Sequence, residues 1–266
     1  MKIGIFDSGL GGLVITHSLI KLLPKYNYLY LGDTARVPYG NRSQKMIYQF
    51  TKEAVEFLFR HDCQLIIIAC NTASAEALRK IQQEYLPKKY PNRRVLGVII
   101  PTCEVALDNR KCQAIGVLAT ESTVKSEAYI REIHKINRQV RVYQQSAPLL
   151  VTLIENNGLK WIDPILDEYL KPLLERHIDC LILGCTHYPI IKEEIRKKLD
   201  NQILVMSQDE IIPAKLQDYL LRHPEIKSLL SKKSCYQFQV TYLTDSFNRL
   251  ASRLFSDKIT LELTDV

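Results

Sequence analysis

The chain has 266 residues, of which 46% are hydrophobic and 24% charged, so it can bury a full core as one large or two small domains. No stretch approaches the roughly 18 uncharged apolar residues that a membrane span needs, and "MKIGIFDSG" places an acid at position 7 where a signal peptide would stay apolar. The net charge of +7 lies in dispersed patches such as "KYPNRR", "KINRQVR" and "IRKKL", without aromatic interleaving or a nucleic-acid motif. A soluble cytoplasmic protein is expected, with no membrane and no nucleic-acid partner. The seven cysteines are odd in number and irregularly spaced, which fits free thiols in a reducing compartment, so disulfides are not expected.

Taken in chain order, apolar runs alternate with amphipathic ones in the rhythm of a parallel α/β sheet. "KIGIF", "YLYLGD", "LIIIAC" and "RVLGVII" read as strands. "GGLVITHSLIKLL", "SQKMIYQFTKEAVEFLFRHD" and "NTASAEALRKIQQEYL" read as the helices between them. The pattern then restarts: "AIGVLAT" restates "KIGIFDS", "VRVYQQS" follows a helix over 123–137, and "CLILGCTH" restates "LIIIACNT". The offsets of 112 residues from Ile3 to Ile115 and 115 from Cys70 to Cys185 are nearly equal. The expected fold is therefore α/β, with two similar parallel-sheet domains related by a pseudo-two-fold and a site in the cleft between them. The tail reads as a helix, a strand and a helix that return to the first half. The expected domains are 1–97 plus 210–266, and 98–209.

In open parallel sheets ligands bind beyond the carboxyl ends of the strands. The tips that would line the cleft are "DSGLGG", "DTARVPYGNRS", "CNTAS", the loop after "VLGVII", "ATESTVKS" and "GCTHYP". They carry two thiols, the hydroxyls of Ser8, Thr72, Thr120, Thr123 and Thr186, the Asn71 amide, and backbone amides near Gly40. Cys70 and Cys185 stand out because each ends an apolar strand, precedes a threonine within two residues, and occupies the corresponding place in its half. Cys63, Cys112, Cys180 and Cys235 read as small core residues; Cys103, in "IIPTCEV", reads as either a core residue or a strand-end thiol. His187, two residues beyond Cys185, is placed to act as an acid–base partner. Asp7 reads equally as a turn residue or a functional acid. The nearest cysteine pairing, Cys180 and Cys185, falls five apart on a strand and so on opposite faces, and there is no P-loop lysine and no Gly-x-Gly-x-x-Gly after a strand, so neither metal nor nucleotide is expected. Two opposed thiols without a cofactor suit removal of a proton from one face of a stereocentre and its return to the other.

These residues resemble the cofactor-independent aspartate/glutamate racemase superfamily. "IGIFDSGLGGL", "GDTARVPYGNRS", "ACNTASA", "ATESTVKS" and "LILGCTHYP" stand in that family's order and spacing over nearly the whole chain. The resemblance implies that Cys70 and Cys185 are the two catalytic bases, assisted by Asp7 and His187 respectively. It also implies that Asp7, Ser8, Pro38, Tyr39, Gly40, Asn71, Thr72, Thr120, Thr123, Thr186 and His187 bind the substrate. The implied reaction is interconversion of L- and D-glutamate, without cofactor, to supply D-glutamate for bacterial peptidoglycan. An aspartate racemase or another amino-acid racemase of the superfamily is the alternative, with "PYGNRS" favouring glutamate. A homodimer is compatible with the resemblance. The chain departs from the family pattern at Ile100-Pro101-Thr102, at Ala147-Pro148-Leu149, and in "VMSQDEIIPAKLQDYL", where an acidic-serine segment is usual.

Overall fold

The computed structural model describes residues 1–109, 112–200, 202–256 and 259–266. The strands form two wholly parallel sheets. The first contains β1 (Lys2–Asp7), β2 (Tyr28–Gly32), β3 (Cys63–Ile68), β4 (Arg94–Gly97), β9 (Tyr236–Val240) and β10 (Leu261–Leu263) in the order β10-β9-β2-β1-β3-β4. The second contains β5 (Ala114–Ala119), β6 (Arg141–Ser146), β7 (Cys180–Gly184) and β8 (Leu204–Met206) in the order β6-β5-β7-β8. The stretch β2-β1-β3-β4 and the second sheet thus repeat one order, with the first strand of each half at the centre.

The physical basis is burial on both faces. Strands β2, β3, β5 and β7 are buried at every residue, which requires helices above and below and explains their unbroken apolar runs. The helix Gln44–Arg60 packs on one face of the first sheet, its start fixed by the Ser43 side chain accepting the Met46 N–H. Helix Gly12–Leu22 covers the other face and packs against Gln208–Arg222, which begins after β8 and returns from the second sheet. The tail then places β9 beside β2 in parallel register, Tyr28 opposite Tyr236 through Gly32 opposite Val240.

Four sequence expectations are corrected. "RVLGVII" is a strand only to Gly97; Ile99–Asp108 is a helix, so Cys103 lies buried within that helix rather than in a strand-end loop. Its first turn faces away from the expected cleft: Ile99, Ile100 and Pro101 line a separate cavity with Leu78 and Leu216. Cys235 is exposed, because it precedes β9 on the surface. Cys112 and Cys180 form a disulfide, their Cα atoms 5.5 Å apart. Parallel pairing of β5 with β7 brings Ile115 opposite Cys180, so Cys112, two residues before β5, meets the first residue of β7 across 68 positions of sequence. Asp179 beside them accepts the N–H groups of Gln113 and Ala114. This cluster is at the amino end of β7, roughly 17 Å of strand from Cys185.

Candidate active site

Strand register sets which tips meet. Phe6 lies opposite Ile68 in the β1–β3 pairing, and the Ala69 N–H bonds the Phe6 carbonyl at 2.8 Å. Two residues further along each chain, Ser8 and Cys70 are therefore level, and Ser8 Oγ is 3.3 Å from Cys70 Sγ. In the second sheet Ala119 lies opposite Gly184, which sets Thr120 level with Cys185. The two thiols hold equivalent places in the two sheets.

Both thiols, with Ser8, Pro38, Tyr39, Gly40, Asn71, Thr72, Thr120, Thr186 and His187, line one small cavity, together with Val37 and Val151. Asp7 and Thr123, the other expected site residues, lie one layer back. Thr123 Oγ1 is 3.0 Å from Thr120 Oγ1 and 3.4 Å from Thr72 Oγ1, and Thr72 and Thr120 meet across the cleft at 2.9 Å. Tyr39 and Gly40 are fixed from behind. The Tyr39 hydroxyl donates to Asp33 Oδ2, which also accepts from Arg36 Nε at 2.6 Å, while Thr241 donates to Asp33 Oδ1 at 3.1 Å.

The walls differ in charge. On the first, Cys70 caps the helix Asn71–Glu76, its sulfur accepting the Ala73 N–H at 3.5 Å. Burial pushes the Cys70 thiol up to about 12, helped by the Asp7 charge and opposed by Ser8 and the Ala73 N–H. Asp7 Oδ1 accepts the Gly9 N–H at 2.9 Å, while buried Oδ2 has no hydrogen-bond partner among the described residues. Burial pushes this carboxyl up to about 6, against the pull of His187. On the second wall, His187 Nδ1 is 3.6 Å from Cys185 Sγ and Nε2 is 2.6 Å from Glu155 Oε1. Burial disfavours the imidazolium, but its bonds to Cys185 and Glu155 outweigh that and hold its pKa well above the ordinary histidine range.

Glu155 was not among the sequence candidates. It ends the helix Pro148–Glu155, "PLLVTLIE", and crosses to the first half, where its Oε1 also accepts the Leu10 N–H at 3.0 Å. The available signal was one acid closing an otherwise apolar helix.

Two thiols on opposed parallel sheets, with hydroxyls and an amide between them and a proton-holding group beside each, define a two-base cleft able to carry a proton across a carbon stereocentre. The chain belongs to the Asp/Glu/Hydantoin racemase family, whose profile matches residues 3–210. It is 41% identical over 253 residues to a glutamate racemase of Neisseria gonorrhoeae, covering 94% of this chain and 91% of that one. The fold matches the crystal structure of a glutamate racemase isoform from Bacillus anthracis with a TM-score of 0.90 at 32% identity, over 100% of this chain and 97% of that one. It matches a Francisella tularensis glutamate racemase in complex with D-glutamate with a TM-score of 0.87 at 34% identity, over 99% and 97% of the two chains.

Proposed function

We propose that this chain interconverts L- and D-glutamate with Cys70 and Cys185 as the two bases. The observation that carries the reading is the pair of thiols placed at equivalent strand ends of two sheets and facing one small cavity. With the α-carbon between the sulfurs, the Cys185 thiolate takes the proton of L-glutamate and the Cys70 thiol gives one to the opposite face. The D-enantiomer runs the reverse course. A thiol pushed up to about 12 is suited to donate in the first direction, while the His187 imidazolium compensates negative charge at Cys185. Asp7, one layer behind the cavity, would assist Cys70, whose thiol its charge already raises. The donors on Asn71, Thr72, Thr120 and Thr186 and the backbone at Tyr39 and Gly40 would hold the carboxylates and the developing carbanion.

The product would be D-glutamate for peptidoglycan, made in the cytoplasm. A homodimer belongs to the same reading. No helix among the described residues is long and apolar enough to cross a membrane. As a working division, the chain splits into 1–97 plus 210–266, carrying the first sheet, and 98–209, carrying the second.

The test follows optical rotation or circular dichroism of glutamate with purified protein, without added pyridoxal phosphate and in the presence of a chelator. Racemisation is expected to persist, and turnover of aspartate in place of glutamate would overturn the substrate assignment. Cys70→Ser and Cys185→Ser should each lose several orders of magnitude, serine being a far weaker acid and base. With a glutamate analogue that expels a leaving group after deprotonation, Cys70→Ser should still process the L-form and Cys185→Ser the D-form. Equal loss of both enantiomers in both variants, with binding intact, would refute the two-base assignment.

A further inference from the structure

The segment "VMSQDEIIPAKLQDYL", which departs from the family pattern, delivers one side chain into the buried ground behind the cleft. Gln208 opens the helix Gln208–Arg222 and is 1% exposed. Its amide faces that of Asn71 in a reciprocal pair: Asn71 Nδ2 donates to Gln208 Oε1 at 2.7 Å, and Gln208 Nε2 donates to Asn71 Oδ1 at 2.8 Å. Tyr129, fully buried on the helix Ala128–Ile136, closes the ring. Its hydroxyl donates to Asn71 Oδ1 at 2.7 Å and accepts from Gln208 Nε2 at 3.0 Å.

The donor count shows what the ring accomplishes. Both lone pairs of Asn71 Oδ1 are taken, by Tyr129 and Gln208, and both N–H groups of Gln208 are spent. Asn71 Nδ2 spends one N–H on Gln208, and its second is bonded to no described residue. Rotating the Asn71 amide alone would set N–H against N–H and oxygen against oxygen, leaving buried groups unpaired. The three residues come from three helices, and Asn71 is the only one of them that lines the cavity.

We propose that Gln208 is a positioning residue that fixes the Asn71 amide for substrate binding, with Tyr129 as its support. This rests on the reading of Asn71 as a substrate-binding residue. Because Asn71 would touch a group common to both enantiomers in ground and transition states, its misplacement weakens binding more than turnover.

The experiment is a double-variant cycle on Gln208→Ala and Asn71→Ala, with KM and kcat measured for L- and D-glutamate. Gln208→Ala is expected to raise both KM values roughly tenfold, the scale of one or two lost hydrogen bonds, with kcat within about twofold. The double variant should bind no worse than Asn71→Ala alone, because Gln208 acts only through Asn71. Should Gln208→Ala fold poorly, Gln208→Glu keeps the size and the acceptor but loses the donors, and should show the same rise in KM at neutral pH. A raised KM in Asn71→Ala with unchanged KM in the Gln208 variants overturns the proposal and leaves the site reading standing. Unchanged KM in Asn71→Ala removes Asn71 from the binding site and the proposal with it. Additive effects in the double variant, or loss of kcat and melting temperature without change in KM, would make Gln208 a purely structural residue.

Discussion

Replacing Asp7 by Asn should make the protein more stable and less active. The carboxyl is fully buried, one of its oxygens has no partner, and burial lifts its ionisation from 3.8 up to about 6. At about 1.4 kcal/mol for each tenfold change in proton affinity, keeping Asp7 ionised at neutral pH costs the folded state roughly 3 kcal/mol. The folded carboxyl binds its proton more tightly than the unfolded one. Stability from this group is therefore greatest below pH 3.8, falls as pH rises towards 6, and is flat above. Asn keeps the acceptor for the Gly9 N–H and removes the charge, but buries an unpaired amide. The net gain at pH 7.5 should be about 1–3 kcal/mol, or several degrees in melting temperature for a chain of this size. Urea melts of both proteins at pH 4.5, 5.5, 6.5 and 7.5 measure it, with the gap closing towards the acid end. A gap independent of pH, or a variant less stable than the parent at pH 7.5, would refute the account of Asp7 as a charge held at a cost for function.

Glu155→Gln keeps an acceptor for the Leu10 N–H but removes the charge that supports the His187 imidazolium, so the basic limb of the pH–rate profile should move to lower pH. An unmoved limb would detach His187 from that titration. Gly11→Ala would put a Cβ 2.5 Å from the Thr186 carbonyl carbon and 2.6 Å from the His187 nitrogen, backbone atoms of the facing wall. The walls must part, and kcat/KM should fall on the order of a hundredfold with the fold retained, a figure set by steady-state kinetics beside a thermal melt. Cys112→Ser should cost about 4 kcal/mol in oxidised protein, from the closure entropy of a 68-residue loop, and nothing once the parent is reduced. Melts with and without dithiothreitol report the difference.

The cleft was legible where its chemistry follows directly from a strand. A buried parallel strand writes itself as an unbroken apolar run, so its end is visible, and Cys70, Asn71, Thr120, Cys185 and His187 lie within three residues of such ends. Glu155, Tyr129 and Gln208 were invisible for the converse reason. Each reaches the site from a helix, and its partners are 32 to 145 positions away, so no local spacing records the contact. β8 and β10 have three residues each, too short for any periodicity to emerge. The Cys112–Cys180 bond escaped because its geometry is a product of β5–β7 register rather than of cysteine spacing. At "RVLGVII" an apolar run continued from strand into helix, and composition alone does not mark the join.

The unlike walls have a thermodynamic counterpart. L- and D-glutamate have the same free energy in water, so the equilibrium constant is one and kcat/KM must be equal in the two directions. Ser8 and Asp7 beside one sulfur, and His187 and Glu155 beside the other, cannot bias the final mixture however different they are. They can only trade affinity for turnover, so that the enantiomer with the lower KM is the one turned over more slowly, by the same factor. Any substitution on a single wall must obey the same rule: it lowers both values of kcat/KM together and shows its side only in how each divides between kcat and KM.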